Sequence, residues 1–224
     1  MRCPFVYHFP EAKEVSIIGD FNNWNGSKNK MTQNEEGIWV TELDLLPGEY
    51  HYKYLVDNII RMNDPMNNLY IPDEQGELNT LLIINEQGER MESAEPFNVH
   101  IENYHLTNRV DETTPTHDKK VFNLNDEQIV CRLEFLHVTG VHNVSILWYR
   151  PDQEFYYMTE NILWTPEEEK GKSIIQWYWI QVREDMPIGK WTIKLYINGS
   201  FIFSDEFIVQ PTGYYMYNGR INLR

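Results

Sequence analysis

The sequence predicts an all-β chain of two consecutive antiparallel β-sandwiches. Three observations carry this. Short segments with a two-residue hydrophobic alternation run through the chain, turn-forming clusters separate them at about 8–12-residue spacing, and one acidic stretch without periodicity divides them into two groups.

In the first group, Val15–Ile18 is a short apolar strand. GIWVTELDL (37–45) alternates, which places Trp39 in the core. EYHYKYLVD (49–57) alternates again, with Tyr50, Tyr52 and Tyr54 on one side and His51, Lys53 and Leu55 on the other. LNTLLIIN (78–85) closes the group, and NNWNGS, LPGE, NDPMNN and PDEQGE supply the turns.

Residues 87–97 are polar and acidic and read as a linker, which sets the divisions at 1–86, 87–97 and 98–224. The second group holds FNVHIENYHL, EQIVCRLEFLHV, NVSILWYRP, EFYYM and SIIQWYWIQV. Near its end WTIKLYI leads through Asn198-Gly199 into SFIFSDEFIV. Asn-Gly between two alternating runs predicts a tight hairpin, because both residues accept the positive φ of a type I′ turn. Trp191, Ile193, Leu195 and Ile197 then share a core face, whereas Trp177 and Trp179 share one face and Tyr178 the other. TPEEEKGKS (165–173) is the one stretch that predicts a short helical turn, and the tyrosine-rich tail PTGYYMYNGRINLR predicts packing onto the rest of the protein.

The chain carries 19 basic and 34 acidic residues among 224, a formal charge of −15. That field repels a polyanion and argues against nucleic acid, while a neutral ligand is indifferent to it. With 42% hydrophobic residues the chain has ample apolar surface to fold. Cys3 and Cys131 fall in different groups, so two free thiols in a reducing compartment are expected. No apolar run has the length of a signal peptide or a membrane span, which points to a cytoplasmic protein without a membrane partner. There is no Gly-rich phosphate loop, no G-x-S-x-G elbow, no H-E-x-x-H and no Cys-His metal spacing, so neither an enzyme nor a cofactor is expected. His137 and His142 flank V-T-G and read as unrelated.

One residue sits oddly. Trp24 lies in GDFNNWNGS (19–27), among asparagines and glycines that mark a surface loop. A pyranose presents a face of C–H groups, and an outward-held indole offers a flat apolar surface with a negative π face to match it. Such a site also needs a few polar groups to fix orientation.

GDFNNW at 19–24, LPGEYHYKYLVD at 46–57, NDP at 63–65 and GELNTLLII at 76–84 resemble, in order and spacing, the family 48 carbohydrate-binding modules. These glycogen-binding domains occur in the beta subunit of AMP-activated protein kinase and in branching and debranching enzymes. The resemblance covers about residues 1–86. It implies an immunoglobulin-like β-sandwich that binds α-1,4-glucan, with Trp24 as stacking platform and Lys53 and Asn79 as sugar contacts. The hairpin PxGxWTIKLYxNG resembles the closing hairpin of immunoglobulin-like accessory domains, which completes the expectation of two consecutive immunoglobulin-like antiparallel β-sandwiches. The sequence departs from the kinase modules where they carry a second tryptophan: here Ile60 or Arg61 stands in that region. Glu74, Gln75 and Glu77 also replace apolar and hydroxyl residues, and Asn58 replaces a turn glycine. The expected function is non-catalytic binding of a glucan polysaccharide or oligosaccharide, with a protein partner of the second domain left open. The alternative is a protein-interaction or scaffold module that keeps the fold without the sugar.

Overall fold

The structure is a computed structural model that describes residues 2–91, 98–110 and 118–211, together with the backbone of two short strands at 215–217 and 220–222. It is built almost wholly of strands. Among the described residues, no helix is long and apolar enough to cross a membrane.

The first sandwich comprises β1 (Arg2–His8), β2 (Val15–Gly19), β3 (Thr32–Gln33), β4 (Ile38–Asp44), β5 (Gly48–Val56), β6 (Ile60–Met62), β7 (Tyr70–Pro72), β8 (Leu78–Ile84) and β9 (Arg90–Met91). One sheet has the order β1-β4-β3, and the other β2-β5-β8-β7, with β6 paired to β5 and β9 to β8. The alternating inward residues close the core between them. Tyr52 and Tyr54 are fully buried and both donate their hydroxyls to Asp64 Oδ2, at 2.7 and 3.1 Å. Trp39 is buried as expected, its Nε1 donating to the Phe9 carbonyl at 2.9 Å.

The short strands β1, β3, β6, β7 and β9 have no counterpart in the sequence reading. β1 places Cys3, Phe5 and Tyr7 inward at period two, and its Pro4 is tolerated because β1 is an edge strand. Residues 85–91 fold back as a hairpin: Gly88 N–H donates to the Asn85 carbonyl and Met91 pairs with Ile83. The turn chemistry of Asn85 and Gly88 thus shapes the start of the segment read as a linker, despite its polarity. Its remainder, 92–97, lies outside the described residues, as does the side-chain packing of the tyrosine-rich tail.

The second sandwich comprises β10 (Asn98–Thr107), β11 (Val121–Asn123), β12 (Gln128–Thr139), β13 (His142–Tyr149), β14 (Phe155–Leu163), β15 (Ile174–Gln181), β16 (Gly189–Ile197) and β17 (Ser200–Gln210). Its sheets run β10-β12-β15 and β11-β17-β16-β13-β14, antiparallel apart from the parallel pair β11–β17. Trp148, Trp191, Phe207, Phe122 and Tyr178 fill the core. A short 3-10 turn at Glu167–Glu169 meets the expectation for 165–173. Asn198 (φ 54°) and Gly199 (φ 84°) form the expected tight hairpin.

The two sandwiches pack on each other. In β13, Ile146 and Trp148 face the second core, while Leu147 faces the first, so the strand is buried on both sides. Phe9 stacks on Tyr196 with ring centroids 5.6 Å apart and planes 3° from parallel. Tyr7 donates its hydroxyl to the Gly199 carbonyl at 3.2 Å, and Lys194 pairs with Glu11. A Cβ on Gly199 would lie 2.0 Å from the Asn63 carbonyl oxygen, so only glycine fits where this hairpin meets the first sandwich. Cys3 and Cys131 are free, buried and in separate cores.

Candidate functional site

The loop after β2 is organised by Asn22. Its side-chain oxygen accepts from the Gly19 and Asn25 N–H groups at 3.1 and 3.3 Å, and its amide donates to the Ile17 carbonyl at 2.9 Å. Gly19 cannot be anything larger, since a Cβ there would fall 2.4 Å from the His51 carbonyl oxygen. This clamp drives the next two residues, Asn23 and Trp24, into the left-handed region, each at φ 56°. Asparagine accepts that conformation; a bulky aromatic there is an outlier. The backbone is held by Trp24 N–H donating to the Gly19 carbonyl at 2.9 Å.

The indole stays partly exposed, and its Nε1 donates to Asp20 Oδ1 at 3.2 Å. The other oxygen of Asp20 accepts from the His51 N–H at 2.8 Å and lies 3.1 Å from His51 Nδ1. Asp20 thus ties the tryptophan loop to β5. Across from it, residues 73–77 form a tight turn in which Asp73 Oδ1 accepts from the Gln75 and Glu77 N–H groups, both at 2.9 Å. Together they enclose a shallow depression of about 300 Å³ lined by Trp24, Asp20, His51, Arg61, the 73–77 turn and Asn79.

The depression brings two of the three expected residues together. Trp24 forms its rim, and Asn79 reaches it from β8 while 7% exposed. Lys53 does not line it. That side chain is 2% exposed, with Nζ 3.5 Å from Glu77 and 3.9 Å from Glu160 of the second sandwich. Alternation placed Lys53 on the face opposite Tyr52 and Tyr54, where Glu77 and, from the second sandwich, Glu160 lie beside its ammonium. Where the kinase modules carry a second tryptophan, the alternation of β6 turns Ile60 into the core and Arg61 out toward the site. Asp20 and His51 were not anticipated, although Asp20 sits one residue after the glycine of the recognised motif. His137 is exposed and His142 buried, so they form no pair.

Residues 2–90 match the family described as the glycogen recognition site of AMP-activated protein kinase, and this segment is a family 48 carbohydrate-binding module, a non-catalytic class. The match supports an α-glucan ligand. Among curated proteins, the chain is 38% identical over 65 residues to the 1,4-alpha-glucan branching enzyme GlgB of Thermosynechococcus vestitus, covering 27% of this chain and 8% of that one. It is 33% identical over 84 residues to Protein FLOURY ENDOSPERM 6, chloroplastic, of Oryza sativa subsp. japonica, covering 38% and 15%. The chain therefore spans only a small part of these relatives. Among solved structures, an immunoglobulin-like protein from Pseudomonas aeruginosa aligns at 12% identity with a TM-score of 0.35, over 53% of this chain and all of that one.

Proposed function

We propose that this protein binds α-1,4-glucan without transforming it, at the depression beside Trp24. A glucose ring stacks on the indole while Asn79 and the 73–77 turn exchange hydrogen bonds with its hydroxyls. Lys53 serves from beneath, holding Glu77 in place. The observation that carries this reading is the anchored indole: a tryptophan kept in an unfavourable backbone conformation and tied by Nε1 to Asp20 is preorganised at the rim of a polar depression. One aromatic platform contributes about 1–3 kcal/mol, taking base stacking as the guide. In calorimetric titration with maltoheptaose, Trp24→Ala should weaken binding by about tenfold. No heat from the native protein at millimolar sugar, or an unchanged affinity in the variant, overturns the reading.

The rival is a scaffold module that keeps the fold and has lost the sugar. It is favoured by the burial of Lys53 away from the depression and by Arg61 in place of a second indole. Added glucan should quench or shift the Trp24 fluorescence in the first case and leave it unchanged in the second. We take the division into a glucan module, a short linker and a second sandwich as the working organisation. Two free, buried thiols are in keeping with a reducing, cytoplasmic compartment.

A further inference from the structure

The turn at 73–77 stands between two depressions. Gln75 and Glu77 line the one at Trp24, and they also line a larger cleft of about 690 Å³ whose far wall belongs to the second sandwich. That wall is formed where β14 and β15, edge strands of opposite sheets, come side by side. Asn161 Nδ2 donates to the Trp177 carbonyl at 3.4 Å, and Gln176 Nε2 to the Ile162 carbonyl at 2.9 Å, so the two edges are clasped. Alternation turns Tyr178 into the core and Trp177 and Trp179 outward. Trp179 is 47% exposed and Tyr157 on β14 is 55% exposed, and both line the cleft. The Trp177 Nε1 has no hydrogen-bond partner among the described residues. Glu160 also lines it, held by Asn143 Nδ2 at 3.3 Å and facing the buried Lys53.

We propose that this cleft is a second α-glucan platform, continuous with the first, so that one chain stacked on Trp24 passes the 73–77 turn and lies against Trp179 and Tyr157. This rests on the glucan reading given above. Two classes of group support a sugar here: exposed aromatic faces for the C–H surface of a pyranose, and carboxylate and amide groups at fixed positions for its hydroxyls. The cleft has the volume of small-ligand sites, about 300–1,000 Å³. The turn residues Gln75 and Glu77 belong to both depressions, so a bound chain need not leave the protein between them. The Lys53–Glu160 contact ties the sheet behind the first platform to the strand that carries the second, fixing their alignment. A chain held at one platform meets the other at high effective concentration, and the gain appears only in chains long enough to reach both.

The test compares maltotriose with a long linear maltodextrin by calorimetry on the full chain. The native protein should bind the long chain about tenfold more tightly per site than maltotriose. Trp179→Ala should remove that gain while the maltotriose site at Trp24 is retained. Tyr157→Ala should reduce the gain, and unaltered thermal unfolding of both variants shows that the fold is intact. A long-chain advantage that persists in both variants overturns the second platform while leaving Trp24 in place. Loss of maltotriose binding in Trp24→Ala is the separate signature of the first platform. If that variant binds maltotriose normally, the Trp24 reading falls and the cleft stands or falls on the Trp179 result.

Discussion

At the scale of single residues, Trp24 combines two costs that a purely structural residue avoids. Its indole stays partly in water, and its backbone sits where L side chains are disfavoured by about 1–2 kcal/mol. Asn22 and Gly19 enforce that geometry, so the strain persists whatever side chain follows. Replacing Trp24 by alanine keeps the strain, whereas glycine releases it. Trp24→Gly should therefore be more stable than Trp24→Ala by about 1 kcal/mol in urea unfolding. Both variants should lose glucan affinity equally. Equal stabilities would show that the loop relaxes once the ring is gone. Asp20 was missed in the sequence because its work is to accept from two groups brought together by folding, one local and one 31 residues away.

At the scale of elements, the Asn198-Gly199 hairpin is both the most legible feature of the sequence and the one with the widest reach. Its turn type followed from two residues. Its docking did not, because the crowding against Asn63 comes from the other sandwich. The hairpin is also tied to His142, whose Nδ1 lies 3.0 Å from Asn198 Nδ2 and whose Nε2 lies 2.9 Å from the Thr139 carbonyl. That pairing requires a neutral ring with its proton on Nε2. Burial holds the His142 pKa below the ordinary histidine value, outweighing the backbone hydrogen bonds that act the other way. In the unfolded chain the value is about 6.5. The stabilising contribution is thus complete above about pH 6.5 and is lost as pH falls through the lower folded value. The urea midpoint should drop between about pH 7.5 and 5.5, and His142→Asn should flatten that slope. An identical slope in the variant would assign the dependence to other groups. Elsewhere, alternation located the core strands, while β1, with its regular inward series at Cys3, Phe5 and Tyr7, was not among them.

At the scale of the whole molecule, the net charge of −15 and the chemistry of the site can be separated by experiment. Stacking and hydrogen bonds to an uncharged sugar release no counterions, whereas an acidic protein that docks a basic partner does so through a screened field. Maltoheptaose affinity should change less than about twofold between low salt and roughly 0.5 M salt, where the screening length shrinks severalfold. A steep salt dependence would favour a charged protein partner and the scaffold reading. The global arrangement was the least legible part. Two sandwiches were visible in the spacing of strands and turns, but nothing local marks Leu147 and Tyr196 as belonging to the first core instead of the second.

That shared core has a further consequence. Glu160 of the second half faces Lys53 of the first, beside its nearer partner Glu77, and Tyr196 covers Phe9. Dividing the chain would open the buried Lys53 to water on one fragment and leave a bare ring on each.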